Sequence, residues 1–232
     1  MSKFIFCTAF LTTLAACASG PHQFTYADFE DAKVLPYDVP PQVIYRIDDY
    51  RFITLEHYRD CSHGDTYYND SKTSIRTYLG RGGIENYQGT LIIADSSERN
   101  VVIPSSAPPN FACSDRGCTV SMIYSTDSGK TFRGTKYMLS FDPYSDSRDM
   151  TIVATSDSIY VARRSAIDTM VDKYPLNPAV DLNKPYPPGF LNEGAWAAKR
   201  KLMPDNLHSP SGQERLSCDA SIRPSNPDAP LN

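Results

Sequence analysis

Thr119-Val120-Ser121-Met122-Ile123-Tyr124 and Thr131-Phe132-Arg133-Gly134-Thr135-Lys136-Tyr137-Met138-Leu139 flank the turn Ser125-Thr126-Asp127-Ser128-Gly129-Lys130. Both runs are rich in β-branched and aromatic residues, and a polar Asp-Ser-Gly cluster separates them, so the stretch reads as an antiparallel hairpin. Asp127 can accept bonds from nearby backbone N–H groups, Gly129 permits a positive φ, and Phe132 can pack beneath the turn.

The same punctuation repeats outward in both directions. Short β-prone runs occur at residues 43–47, 51–58, 66–68, 74–79, 90–94 and 101–103, and again at 151–154 and 158–163. Several alternate with period two, and Asp, Asn, Ser and Gly clusters lie between them. The expected fold is all-β, mainly an antiparallel meander over residues 42–172, with a partial β-propeller as one form it could take. Ten of the 18 prolines fall between Pro175 and Pro230, which predicts that no regular sheet continues there. Residues 173–232 therefore read as an irregular, proline-rich extension. Within it, Gly194 to Met203 could form one short helix anchored by Trp196 and stopped by Pro204.

The 232 residues are 41% hydrophobic, enough for one medium-sized core rather than two large domains. A formal net charge of −4 with no basic stripe argues against nucleic acid as a partner. The box Ser125, Asp127, Gly129 and Phe132 resembles the Asp-box of sialidase-type β-propellers. Such boxes lie on hairpins away from the catalytic face, so the resemblance implies fold rather than activity.

At the amino terminus, Lys3, an apolar run from Phe4 to Leu14, and Ala15-Ala16 before Cys17 read as an export signal over residues 1–16. The apolar run is about half of the roughly 20 residues that a membrane span requires. Leu14-Ala15-Ala16-Cys17 resembles the lipobox of bacterial lipoproteins, which implies cleavage before Cys17 and lipidation of its thiol, palmitate included. Ala18 in place of Asp resembles the pattern of lipoproteins sent to the outer membrane. Loss of Lys3 leaves a mature charge of −5, and residues 17–41 read as a tether.

Four cysteines remain, an even number that outside the cytoplasm suggests disulfides. The short Cys113-Ser114-Asp115-Arg116-Gly117-Cys118 segment favours pairing Cys113 with Cys118. Cys61 and Cys218 follow by elimination, which would dock the extension. A zinc site from Cys61, His63, Cys113 and Cys118 is the rival, but neither a two-residue cysteine spacing nor a paired histidine motif is present. Signatures of a nucleophile elbow, a zinc protease, a phosphate loop and a calcium loop are also missing from the sequence. The expectation is no catalytic residue, no metal and no cofactor.

Tyr45-Arg46-Ile47-Asp48-Asp49-Tyr50-Arg51-Phe52, then Leu55-Glu56, Cys61, Gly64 and Tyr67-Tyr68-Asn69-Asp70, resemble the Tli3-like immunity proteins of type VI secretion systems. Gly117-Cys118 and Tyr124 to Asp127 with Gly129 and Phe132 extend the likeness to roughly residues 43–164. The resemblance implies a periplasm-facing envelope protein that binds and blocks a phospholipase effector injected by a sibling cell. Asp48, Asp49, Tyr50, Tyr67, Tyr68 and Asp70 are the expected interface, since tyrosines give rigid contact area and carboxylates steer toward a basic patch. The bland alternative is that the tyrosines fill the sheet and the acids sit in turns. Two other readings stand beside immunity: an envelope lipoprotein with a binding or structural role, and a sialidase-like glycosidase.

Overall fold

A computed structural model describes residues 33–165, 169–193 and 202–231. The signal, Cys17 and most of the tether lie outside the described residues, as do residues 194–201 of the expected Trp196 helix. No helix among the described residues is long and apolar enough to cross a membrane.

Twelve strands run in chain order: β1 Gln42–Arg46, β2 Arg51–Asp60, β3 His63–Asp70, β4 Ile75–Gly80, β5 Thr90–Ile93 and β6 Val101–Pro104. The second half comprises β7 Cys118–Ser125, β8 Arg133–Ser140, β9 Met150–Ala154, β10 Ser158–Arg164, β11 Thr169–Pro175 and β12 Leu191–Glu193. Three sheets result, ordered β1-β2-β3-β4, β6-β7-β8 and β12-β11-β10-β9-β5. Pairing is antiparallel except between β5 and β9, which run parallel. The parallel pair arises because the middle sheet is inserted between them in sequence.

Alternation dictates which side chains face inward. In β2, Ile53 and Leu55 are fully buried in the core while Thr54 and Glu56 point to the other face. One main cluster joins all three sheets through residues such as Tyr45, Leu91, Ile103, Met122 and Ile152. Outside the main cluster, Ile92, Val153 and Tyr160 cover the opposite face of the third sheet.

The sheet runs further than the prolines suggested. β11 extends past Asp172 to Pro175, and the three-residue β12 pairs with it at Val171, Asp172 and Lys173. β12 is the open edge and stops pairing at Lys173, so on that side Pro175 faces no strand and costs no ladder bond. Beyond them the chain returns along β1 without forming a strand. The backbone N–H of Ser211 donates to Ile47 O (3.0 Å), Ser217 N–H to Ile44 O (2.8 Å), and Leu91 N–H to Glu214 O (2.8 Å). The buried Ser209 hydroxyl bonds the Tyr45 hydroxyl at 2.7 Å and accepts from Ile93 N–H at 2.9 Å. The extension thus links the first sheet to β5, and a disulfide joins Cys218 to Cys61 at the β2–β3 turn. A second disulfide joins Cys113 to Cys118.

Candidate functional site

The Asp-box turn is a strut between sheets. Ser125 Oγ accepts from Gly129 N–H (2.9 Å), and Asp127 accepts from the backbone and hydroxyl of Thr131 at 3.0 and 2.6 Å. Burial pushes the Asp127 carboxyl up, but these bonds more than offset it and hold it below the usual carboxylate range. Gly129 has φ +81° and lies against the Tyr68 ring, and Thr77 Oγ1 donates to its carbonyl at 2.9 Å. Phe132 is buried edge-on to Tyr68, ring centroids 5.6 Å apart. The box therefore pins the β7–β8 hairpin to β3 and β4.

The six residues expected at an interface do not form one surface. Tyr68 is fully buried in the core, and Asp70 is buried as a turn former, accepting from the backbones of Lys72 (2.9 Å) and Thr73 (3.1 Å). Asp48 accepts from Tyr50 and Arg51 N–H and pairs with Arg51 Nε at 2.6 Å, so it shapes the β1–β2 turn. Tyr67 is buried on the opposite face of the first sheet, with the Arg76 guanidinium 3.9 Å above its ring and Tyr78 beside it. Alternation and turn bonding thus engage four of the six within the fold itself. Asp49 is exposed and Tyr50 half-exposed. The Tyr50 hydroxyl donates to Glu98, and Lys72 Nζ lies 4.6 Å above the ring.

A groove between the first and second sheets was not foreseen. It encloses about 830 Å³ and is lined by apolar residues including Tyr37, Leu79, Ile103, Val120 and the exposed Phe111. Its inner wall is the single 3₁₀ turn Ile84–Asn86, entered through Gly83 at φ +79°. Only glycine fits there: an added Cβ would lie 2.0 Å from Ser106 O, and Ser106 N–H donates to Gly83 O at 2.9 Å. This close approach brings Ser106 and the turn together. Glu85, Asn86 and Ser106 all line the groove and are 9%, 1% and 3% exposed. Glu85 Oε2, Asn86 Oδ1 and Ser106 Oγ nevertheless have no hydrogen-bond partner. Each such atom costs about 1–3 kcal/mol, so three in one groove call for an occupant, water included.

Burial pushes the Glu85 carboxyl up to about 8, aided by the Asp60 and Asp65 charges and opposed by the backbone N–H groups of Glu85 and Gly64. The basic groups at the rim are already engaged. Arg59 and His63 pair with Asp60 at 3.3 and 2.7 Å, and Arg81 pairs with Asp65 at 2.7 Å. Sequence reasoning missed this site because Glu85, Asn86 and Ser106 look like ordinary loop residues. The Gly82-Gly83 doublet before an isolated Ile84 was the available signal.

Residues 37–163 match the family model described as T6SS Tli3 immunity protein, more than half of the chain. The chain belongs to the Tli3 immunity family. Its members are effector-binding proteins rather than enzymes. The matched region of this Tli3 protein begins at Tyr37 on the groove wall and ends in β10, so it spans Glu85, Asn86 and Ser106 as well as the Asp-box strut. β11, β12 and the docked extension lie beyond it. No curated protein matches the chain.

Proposed function

We propose that this type VI immunity protein binds and neutralises a phospholipase effector in the periplasm, held at the envelope by lipid on Cys17. The family match over residues 37–163 carries the immunity reading. A periplasmic location is supported by the export signal and by two disulfides, which persist in oxidising compartments. The lipobox and Ala18 support lipidation and delivery to the outer membrane. Several acyl chains, each buried CH₂ contributing about 0.8 kcal/mol, would keep the inhibitor at the membrane surface. There its effective concentration is highest where a lipase must act. Stoichiometric inhibition needs a complementary surface and no catalytic group. The exposed Asp49 and the Tyr50 ring remain proposed contacts from the β1–β2 turn.

The test is co-purification of the mature chain with candidate phospholipases, followed by lipase assays with and without it. One phospholipase should form a stable complex and lose activity in proportion to added immunity protein. Undiminished hydrolysis across the candidates would refute inhibition.

A further inference from the structure

We propose that the groove is a socket for a basic side chain of the effector, an arginine or lysine received by Glu85 Oε2, Asn86 Oδ1 and Ser106 Oγ. The proposal rests on the immunity reading and specifies where that binding happens.

Three features select a cation. Once Glu85 has given up its proton, the unpartnered atoms are a carboxylate oxygen, an amide oxygen and a hydroxyl, a set dominated by acceptors, and guanidinium and ammonium groups offer donors only. Among nearby charges, those of the Asp60 and Asp65 carboxylates act on Glu85, and a cation in the groove would offset them. Arg59, His63 and Arg81 at the rim already face those carboxylates and leave Glu85 without a cation of its own. The apolar walls suit the rest of such a side chain. Tyr37, Leu79 and Phe111 can cover a methylene stem while the charged head reaches the polar floor. The mature charge of −5 would also draw a basic segment toward this protein.

Entry of the cation has a proton balance. The Glu85 carboxyl is protonated in the empty groove near neutral pH, so its O–H bond breaks as the cation arrives. The proton leaves to solvent, and the carboxylate retains the electron pair and faces the bound charge. Binding near pH 7 therefore releases up to one proton.

The mature lipidated chain in detergent micelles is titrated calorimetrically with the blocked tripeptide acetyl-Gly-Arg-Gly-amide and with its citrulline counterpart, which keeps the shape and removes the charge. The arginine peptide should bind saturably, with proton release seen as a dependence of the heat on buffer ionisation. The citrulline peptide should bind at least about tenfold more weakly. Equal binding of the two peptides, or binding of neither, would overturn the proposal. In the second arm, Glu85→Gln and Ser106→Ala are each compared with the unsubstituted chain for affinity toward the phospholipase it inhibits. Both should weaken binding by about tenfold or more without lowering the thermal midpoint. Unchanged affinity in both variants overturns the socket while leaving immunity intact. If the unsubstituted chain inhibits no phospholipase although the arginine peptide binds, the function reading fails and the socket stands.

Discussion

Replacing Gly129 by Ala tests whether the Asp-box turn holds two sheets together. The glycine sits at φ +81°, where a Cβ costs about 1–2 kcal/mol. That Cβ would lie 2.1 Å from Cε1 and 2.6 Å from Cζ of Tyr68. The ring cannot swing aside, being fully buried and packed on Phe132, so forcing it to move adds about 1–3 kcal/mol. The expected loss is about 2–5 kcal/mol. Gly134, five residues on and inside β8 of the same hairpin, is the matched control. An added Cβ there meets nothing within 4 Å, so Gly134→Ala should be neutral or stabilise by up to about 1 kcal/mol. Urea unfolding with the disulfides intact reads both variants as midpoint shifts at constant slope. Tyr68→Leu combined with Gly129→Ala should cost less than the two singles together, because the smaller side chain relieves the overlap but not the backbone strain. If Gly129→Ala costs no more than Gly134→Ala, the turn does not bear on Tyr68 and the strut is refuted.

Replacing both Cys61 and Cys218 by Ser opens a link between residues 157 apart, and the chain-entropy model gives about 5 kcal/mol of lost stability. A measured loss under about 2 kcal/mol in urea would show that the hydrogen bonds along β1 already hold the extension. Burial raises Asp95, but N–H bonds from Asn100, Ser97 and Arg99 more than offset it, so its folded pKa is depressed. Its contribution is therefore present above the unfolded pKa near 3.9 and is lost as pH falls through the lower folded value. Asp95→Asn should be less stable at pH 7 and show a shallower acid limb, and identical acid limbs would contradict this. Cys17→Ala should move the protein from the membrane fraction to the soluble periplasm and abolish palmitate labelling; retention in membranes would refute the anchor.

The ten strands from β1 to β10 were legible because each carries its own local signal, a β-prone run bounded by turn residues. β11 was not: Thr169 to Pro175 mixes Asp and Lys with its apolar residues and ends on the first proline of the cluster. The parallel union of β5 with β9 has no local signature, since the strands of the middle sheet separate Leu91 from Ile152 along the chain. The placement of the expected interface residues follows a rule the sequence already contained. Neighbouring residues of one strand face opposite sides, so Tyr67 and Tyr68 could never have belonged to one contact patch.

The groove was hidden for a different reason. A binding site that works by complementarity has no reacting group to dictate residue types, so only packing identifies it. Glu85, Asn86 and Ser106 become informative once Gly83 lets two backbone segments approach, which buries three polar atoms that a self-sufficient fold would have paired. Elsewhere among the described residues only His57 Nδ1 is buried without a hydrogen-bond partner, while Glu56 holds Thr54 and Arg76, and Asp65 holds Tyr78 and Arg81. Both carboxylates belong to the same sheet that walls the groove, so the satisfied network and the unsatisfied floor are neighbours built from similar residues. Stability alone gives no reason for that contrast. In a protein whose role is to receive another protein, unpaired acceptors at the base of an apolar groove are a disadvantage when free and a source of specificity when bound.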